Sequence, residues 1–301
     1  MVARGLRWGL VVQALCVALC AYGLVRFGGT RPPLATVTGL AGLFCVYGLF
    51  ALATFALTWP RKLDAVPEQS IGFFAACLTI LREWLSFFAL FAVIQPFADS
   101  VFRVKREQQQ RLQGAFPVVL VHGYKCNSGL WWWMIARLRS AGFTAEAIDL
   151  EPALASIDRF ADQLHRHIES CLARHGGGKV RLVTHSMGGL VARAYLKRYG
   201  SGKVDKLITL ACGHHGTRIA RLGSGRNARE MEPGSAWLKA LPEPVPVRTV
   251  SVWTAQDNFI APQTSSRLSG AESVMLSGIG HLTFMFSERV AGLVVQELRE
   301  A

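Results

Sequence analysis

One serine stands where a short apolar run changes into a helical pattern. In VRLVTHSMGGLVARAYL, residues 180–196, the first apolar residues have the spacing of a strand, and those from position 187 recur at helical spacing. Ser186 lies at the junction, and Gly188 and Gly189 after it let the strand and the helix approach closely. Unpaired N–H groups at a helix N-terminus favour negative charge. Ser186 could therefore act as a nucleophile, although serine is also a favoured helix cap.

A serine hydroxyl is a weak nucleophile at neutral pH and needs a base. Two candidates follow Ser186 in the chain: Asp257 comes after the apolar run VRTVSVW, and His281 comes after the run SVML. Both lie just beyond a predicted strand, where a parallel sheet collects its functional groups. Three other acids are less suitable: Asp149 precedes the serine in the chain, Asp205 follows it closely, and Glu272 begins a predicted strand instead of following one. We predict that His281 is the base and Asp257 its acidic partner, the alternative for His281 being a structural histidine.

An attack on a carbonyl group also needs hydrogen-bond donors for the oxyanion that develops. One donor is expected from the backbone N–H of Met187, the residue after the serine. The loop HGYKCNSGLWWW, residues 122–133, should supply the other, and the backbone N–H of Tyr124 is the predicted donor. We interpret His122 as a residue that shapes this loop rather than as a base.

The elements that must position these groups begin near residue 116. Short apolar runs alternate there with helical patterns, and the runs FPVVLVHG, FTAEAIDL, VRLVT, VDKLITLA, VRTVSVW and SVML read as strands. Such near-continuous apolar strands, separated by helices, are typical of a parallel sheet with both faces covered. The sequence therefore predicts an α/β fold for residues 113–301, with a mostly parallel sheet.

Residues 1–112 have a different character. Hydrophobic residues make up 51% of the chain and charged residues 18%, which favours membrane segments. Two runs, 5–27 and 34–59, are long enough to span a bilayer, and a cleaved signal peptide is the alternative for the first. A third, 71–97, contains Arg82 and Glu83, which fits either an interfacial helix or a span whose charges are paired. Residues 103–114 form a polar connector.

Charge and cysteine content narrow the possible partners. The net charge of +13 is scattered rather than gathered in a basic, aromatic-rich motif, so we expect an anionic membrane and no nucleic acid as partner. Of seven cysteines, four lie in the apolar N-terminal runs, and no CxxC spacing occurs. We expect neither a disulfide framework nor a metal or cofactor. The flanking charges do not fix the membrane orientation, and the oligomeric state is unknown.

The motifs of residues 116–300 resemble the lipase and esterase branch of the alpha/beta-hydrolase family. VLVHGY, VTHSMGGLVARAYL, GHHGT, QDNFIAP and GIGHLTF follow that family's order, and the elbow is similar to the A-H-S-M-G-G group of bacterial triacylglycerol lipases. Thr184 replaces the first glycine of G-x-S-x-G, and Cys212-Gly213 replaces a usual Thr-Pro. MEPGSAWLKAL, residues 231–241, is similar to that group's cap or lid.

The resemblance implies an alpha/beta-hydrolase fold and ester hydrolysis by Ser186, His281 and Asp257 through an acyl-enzyme. Together with the apolar runs, it predicts a hydrolase anchored in a membrane, expected to be a bacterial inner membrane, that acts on lipid or other apolar esters. A thioesterase, amidase or acyltransferase would use the same triad. A membrane scaffold without activity is the alternative from another class.

Overall fold

The structure is a computed structural model that describes residues 1–59, 70–98 and 116–300. The predicted connector and the boundary between residues 112 and 113 lie outside these ranges. The N-terminal part has three long helices: α1 Val2–Gly28, α2 Pro32–Thr58 and α3 Phe73–Phe88. A π-helical segment, Ala89–Ile94, and a 3-10 turn, Gln95–Phe97, extend α3 to residue 97.

Helices α1 and α2 pack against each other as a helical hairpin. Gly29 ends α1 in the left-handed conformation, with φ 61°, and Pro32 stands in the first turn of α2, where its missing N–H costs nothing. Tyr47 on α2 donates a hydrogen bond to the side-chain oxygen of Gln13 on α1, at 3.1 Å. All three helices, counting α3 through Phe97, are long and apolar enough to cross a membrane.

The charged pair on α3 is split between two environments. Arg82 is exposed, whereas Glu83 is only 1% exposed and hydrogen-bonds backbone outside the helix. Next to it, the Trp84 ring packs against Gly48 of α2, where a Cβ would come within 2.7 Å of the ring. Its indole N–H donates to the Phe44 carbonyl at 3.0 Å. These contacts fix the rotation of α3 about its axis, and Glu83 faces the residues that follow His281.

Residues 116–300 contain six parallel strands, as predicted. They are β1 Val118–Val121, β2 Ala145–Ile148, β3 Val180–His185, β4 Val204–Leu210, β5 Arg248–Thr254 and β6 Glu272–Leu276. The order across the sheet is β2-β1-β3-β4-β5-β6. From β1 the chain passes to β2 on one side, and β3 then lies on the other side of β1. The loops after β1 and β3 therefore leave the sheet in opposite directions, and parallel sheets place their functional groups at such a switch point.

Residues 116–300 also contain six α-helices. Five lie between the strands, and α9 follows β6: α4 Trp132–Ser140, α5 Ile157–His175, α6 Met187–Tyr199, α7 Arg226–Glu230, α8 Ala236–Lys239 and α9 Glu288–Arg299. Helices α5 and α6 cover one face of the sheet, and α4 and α9 cover the other. The segment between β4 and β5, including the predicted cap, contains the two short helices α7 and α8. Buried Leu130, Trp131 and Met134 show that the LWWWM stretch belongs largely to the core.

The end of α3 belongs to the same apolar core as the sheet. Leu90 is fully buried and Ile94 is 5% exposed. Both lie in the cluster that contains Trp131, Met134 and Phe284 on the α4 and α9 side of the sheet. The third apolar run therefore packs directly against the α/β fold.

Candidate active site

Ser186 occupies a strained turn between β3 and α6. Its φ of 56° and ψ of −126° lie outside the usual regions for a residue with a side chain, which costs about 1–3 kcal/mol. The Ser186 N–H donates to the Leu210 carbonyl at 2.9 Å, which holds the turn against β4. A Cβ on Gly188 would collide with the Val121 carbonyl oxygen. The close approach that the sequence predicted is therefore present, and only glycine fits there.

Asp257 and His281 meet beyond the ends of β5 and β6. The His281 Nδ1–H donates to Asp257 Oδ2 at 2.9 Å, and both side chains are nearly buried. The other oxygen, Asp257 Oδ1, accepts the backbone N–H groups of Phe259 and Ile260, each at 2.8 Å. The carboxylate is thus fixed by three donors. Because Nδ1–H is bonded to Asp257, Nε2 is the ring atom of His281 that can accept a proton.

His185 connects the serine turn to the His281 loop. Its Nε2–H donates to the His281 carbonyl at 3.1 Å, and the two rings are 4.6 Å apart. Burial, and then the nearby charge of His281, lower the pKa of His185 well below its usual value, so this residue stays neutral. Ser186 Oγ makes no hydrogen bond to the His281 ring within the described part of the chain. Such contacts often tighten only when substrate binds.

The two predicted oxyanion donors are Tyr124, in the loop after β1, and Met187, the first residue of α6. Within the described residues, neither the Tyr124 N–H nor the Met187 N–H has a hydrogen-bond partner. Gly123 holds the first loop against the serine, because a Cβ there would be 2.8 Å from Ser186 Cβ. The Tyr124 hydroxyl donates to the Ser224 carbonyl at 2.7 Å and accepts the Ser224 N–H at 2.8 Å. This pair of bonds joins the loop to the segment before α7.

His122 is held as a neutral loop residue. Its Nε2 accepts the Leu150 N–H at 3.1 Å, so Nδ1 carries the proton and lies 2.9 Å from the Gly123 carbonyl. Burial lowers the pKa of His122. This geometry agrees with the interpretation of His122 as a residue that shapes the loop.

The GHHGT segment braces the acid loop despite its Cys212-Gly213 departure. The Thr217 hydroxyl donates to the Phe259 carbonyl at 2.6 Å and accepts the Ala261 N–H at 3.0 Å. Arg193, which is 2% exposed, donates to the His214 carbonyl at 2.8 Å and to the Pro242 carbonyl at 3.1 Å. The segment is therefore bound to both α6 and the loop that carries Asp257.

No cluster of three metal-binding side chains occurs among the described residues. A groove of about 630 Å³ lies between α3 and the start of α9, and Arg82, Ser277 and Arg289 line it. None of the predicted catalytic residues lines this groove, so it is separate from the serine site.

Comparison with known proteins decides the family. Residues 118–293 match the family model described as the alpha/beta hydrolase family. The chain belongs to the alpha/beta hydrolase family. The matched range begins at β1 and includes the serine turn, the acid loop and the His281 loop, so the family resemblance is confirmed. The three apolar helices precede it.

Solved structures share the fold of this hydrolase. Lipase BlEst2 of Bacillus licheniformis, in its mature form, is 18% identical, with a TM-score of 0.57; the match covers 62% of this chain and 94% of the lipase. Lipase B of Aspergillus fumigatus is 19% identical, with a TM-score of 0.58, covering 64% of this chain and 54% of that protein. The Legionella pneumophila phospholipase PlaB is 13% identical, with a TM-score of 0.50, covering 62% and 60%.

The hydrolase contains site residues that the sequence reasoning missed. His185 donates to the His281 carbonyl, and Asn258 accepts the His281 N–H at 3.1 Å through its side-chain oxygen. From the N-terminal helices, Thr54 reaches Asn258 and Glu83 reaches the residues after His281. Glu83 could have been found from the sequence, because an acidic residue inside an apolar run is a candidate functional position. Thr54 could not, since threonine is common in such helices.

Proposed function

We propose that this alpha/beta hydrolase is a membrane-anchored serine hydrolase that cleaves carboxylic esters of lipids or other apolar acyl compounds. Ser186 is the nucleophile, His281 the general base and Asp257 the residue that orients it. The observation that carries the proposal is the 2.9 Å bond from His281 Nδ1–H to Asp257 Oδ2, on loops beside a strained serine turn. A helix cap needs neither the strain nor the buried acid–imidazole pair.

In the first half-reaction, the Ser186 oxygen attacks the ester carbonyl carbon while His281 Nε2 takes the hydroxyl proton. The carbonyl oxygen becomes an oxyanion, which the N–H groups of Tyr124 and Met187 stabilise. Such donors contribute about 2.7–4 kcal/mol each. The imidazolium then gives its proton to the leaving alkoxide, and the C–O bond breaks to form an alcohol and a seryl ester. Asp257 supports the imidazolium through Nδ1–H.

In the second half-reaction, water replaces the alcohol. His281 takes a proton from the water as its oxygen attacks the seryl ester, and the same N–H groups hold the second oxyanion. The intermediate collapses, the proton returns to Ser186 Oγ, and the carboxylic acid leaves. Every step uses side chains and backbone of this chain, so we expect that no cofactor is needed.

Three observations favour an apolar substrate. The names of the solved neighbours include lipases and a phospholipase. Two of the three apolar helices contact the site loops, α2 through Thr54 and α3 through Glu83. The Phe259 ring lies 5.1 Å from the His281 ring and 6.5 Å from Phe50 on α2, whose side chain is 47% exposed. An aromatic path therefore runs from the surface of the helical hairpin to the base.

The triad alone does not choose between an ester, a thioester and an amide, or between water and another acyl acceptor. Those alternatives remain open, and they differ in the bond that is cleaved. A catalytically silent scaffold is the contrasting function, and it predicts no reaction of Ser186 at all.

Covalent labelling tests the nucleophile. A fluorophosphonate should label the detergent-solubilised full-length protein once, and Ser186→Ala should abolish labelling. Ser224→Ala is the matched control, because that serine lies in the segment bonded to Tyr124 but outside the proposed triad. Equal labelling of wild type and Ser186→Ala would remove Ser186 as the nucleophile, and no labelling of wild type would favour the scaffold.

Substrate class and membrane insertion need separate measurements. A series of p-nitrophenyl esters, with matched thioesters and amides, should show the highest kcat/KM for esters with long acyl chains. Alkaline carbonate washing should leave the full-length protein in the membrane pellet, because a span of about 20 apolar residues inserts stably. Release by carbonate would contradict membrane spanning without touching the proposed chemistry.

A further inference from the structure

Glu83 is a buried acid that α3 directs at the His281 loop. Its Oε1 accepts the Leu282 N–H at 2.8 Å. Its Oε2 accepts both the N–H and the hydroxyl of Thr283, at 2.9 and 2.7 Å. A carboxylate, which only accepts hydrogen bonds, faces three donors there. These donors belong to the two residues that directly follow the proposed base.

The residue before His281 is in contact with the same carboxylate. A Cβ on Gly280 would collide with Glu83, its nearest atoms including Cδ at 2.7 Å and Cγ at 3.1 Å. Gly280 does not have the positive φ that requires glycine for conformational reasons. The absence of a side chain at position 280 is therefore explained by the space that Glu83 fills. Glu83 thus bounds the base loop on both sides of His281.

A second helix fixes the same loop from the acid side. The Asn258 amide donates to the Thr54 hydroxyl of α2 at 2.7 Å, and its oxygen accepts the His281 N–H at 3.1 Å. Three successive backbone N–H groups, of residues 281–283, are therefore held through side chains that α2 and α3 supply or orient. Asn258 also directly follows the proposed acid in the chain.

The end of α3 holds the oxyanion loop in the same way. Gln95 is fully buried, and its side-chain oxygen accepts the Asn127 N–H at 2.8 Å. The Gln95 carbonyl accepts the Asn127 side-chain amide at 2.9 Å. Asn127 lies three residues after Tyr124. Helix α3 is thus bonded to both the loop of the base and the loop of one oxyanion donor.

We propose that Glu83 is a positioning residue for the catalytic base, and that α2 and α3 are parts of the active site as well as a membrane anchor. Glu83 fixes the backbone of residues 280–283, which sets where the His281 Nε2 atom stands relative to Ser186. The inference rests on the proposed serine-hydrolase function. On this proposal, His281 is correctly placed only while α2 and α3 are docked against the loops of the α/β fold.

The test compares Glu83→Gln with wild type in the full-length, detergent-solubilised protein. Glutamine has the same length, but its NH2 group would face an N–H donor, so the loop must shift. A displacement on the order of 1 Å costs about 10²-fold in rate. We normalise kcat to the number of sites that fluorophosphonate labels at completion. This kcat should fall about 10- to 100-fold in Glu83→Gln. KM should stay within about threefold, since uniform binding is untouched.

Labelling separates positioning from loss of folded protein. The rate of fluorophosphonate labelling should fall with kcat, while the final stoichiometry stays at the wild-type level. The matched control is Arg82→Gln, which removes the neighbouring charge on an exposed part of α3 and should keep the wild-type kcat. An unchanged kcat per labelled site in Glu83→Gln would overturn the proposal.

Two further variants keep the proposal testable if Glu83→Gln does not fold. Thr283→Val removes one of the three donors, and we expect kcat per labelled site to fall several-fold. Gly280→Ala should also lower kcat, because the new Cβ collides with Glu83. The double variant, Glu83→Ala with Gly280→Ala, should be no less active than Glu83→Ala alone, because the side chain that the Cβ would meet has been removed. Wild-type kcat in Thr283→Val, or additive losses in the double variant, would refute the role of Glu83. If wild type itself is neither labelled nor active, the proposed function fails instead.

Discussion

Asp257→Asn changes which nitrogen of His281 carries the proton. Asp257 Oδ1 accepts two backbone N–H groups, from Phe259 and Ile260, so the oxygen of an asparagine should take that place. The NH2 group would then face His281 Nδ1, where Oδ2 stood at 2.9 Å. A donor at that position forces Nδ1 to accept, and the proton moves to Nε2. His281 would then have no free lone pair for the Ser186 proton.

The size of the effect follows from that change of tautomer. In the Ser-His-Asp template, the same substitution lowers kcat by about 10⁴-fold with the geometry intact. A factor of 10⁴ equals about 5.4 kcal/mol in the activation free energy. The fold should survive, because asparagine keeps both backbone bonds and nearly the same volume. We therefore expect a loss of about 10³- to 10⁴-fold in kcat with a small change in melting temperature.

The assay is p-nitrophenyl ester hydrolysis, with kcat expressed per mole of folded protein from the thermal unfolding signal. Asp149→Asn is the matched control, because Asp149 also follows a strand but accepts the Ser128 N–H at 2.6 Å and is exposed. A kcat for Asp257→Asn within tenfold of wild type would refute the assigned acid. A loss in Asp149→Asn as large as that in Asp257→Asn would refute the choice between the two.

Three more predictions test the loops, the surface and the core. Gly123→Ala places a Cβ 2.8 Å from Ser186 Cβ and should lower kcat about 10²-fold, whereas Gly202→Ala, with no atom near the new Cβ, should not. Burial alone would raise the pKa of Glu146, but bonds and charges from His167, Cys171 and Arg174 outweigh it and lower the pKa to about 2. The ionised Glu146 carboxylate therefore stabilises the folded protein above pH 4.5, and this contribution is lost as the pH falls toward 2. In urea unfolding, Glu146→Gln should be less stable than wild type at pH 7 by roughly 1–2 kcal/mol, and the difference should vanish near pH 2. A chain beginning at residue 113 lacks Leu90 and Ile94, and burial of each side chain in the core contributes about 1.5–3 kcal/mol to stability. It should therefore give less folded protein, measured by fluorophosphonate labelling, than a chain beginning at residue 70. Equal yields would contradict the shared core.

The sheet could be predicted because each strand is a continuous apolar run between helical patterns. All six predicted strands are present, and Ser287 caps the last helix at Glu288. The short helices α7 and α8 were not predicted, because helices of 5 and 4 residues show no period. The family order of motifs also placed Asp257 and His281 on adjoining loops, which the structure brings within 2.9 Å of each other.

The contacts between the apolar helices and the loops could not be predicted from the sequence. Hydropathy measures how well residues 71–97 fit a bilayer, but it does not show which protein surface they pack on. Arg82 and Glu83 fitted either an interfacial helix or a span whose charges are paired. In the structure Glu83 accepts hydrogen bonds from backbone N–H groups, and Arg82 is exposed. These bonds join residues about 200 positions apart, and no local pattern records such a contact.

The choice of polar residues on α2 and α3 argues that the helices and the site were fitted to each other. Thr54, Glu83 and Gln95 each reach a loop that carries a different predicted function: the acid, the base and one oxyanion donor. A buried polar group left unpaired costs about 1–3 kcal/mol, so undocking the helices would strand several such groups at once. Docking and correct loop geometry are therefore favoured together. Such coupling would confine full activity to protein whose helices are docked, which under the proposed membrane anchoring is protein inserted in the membrane.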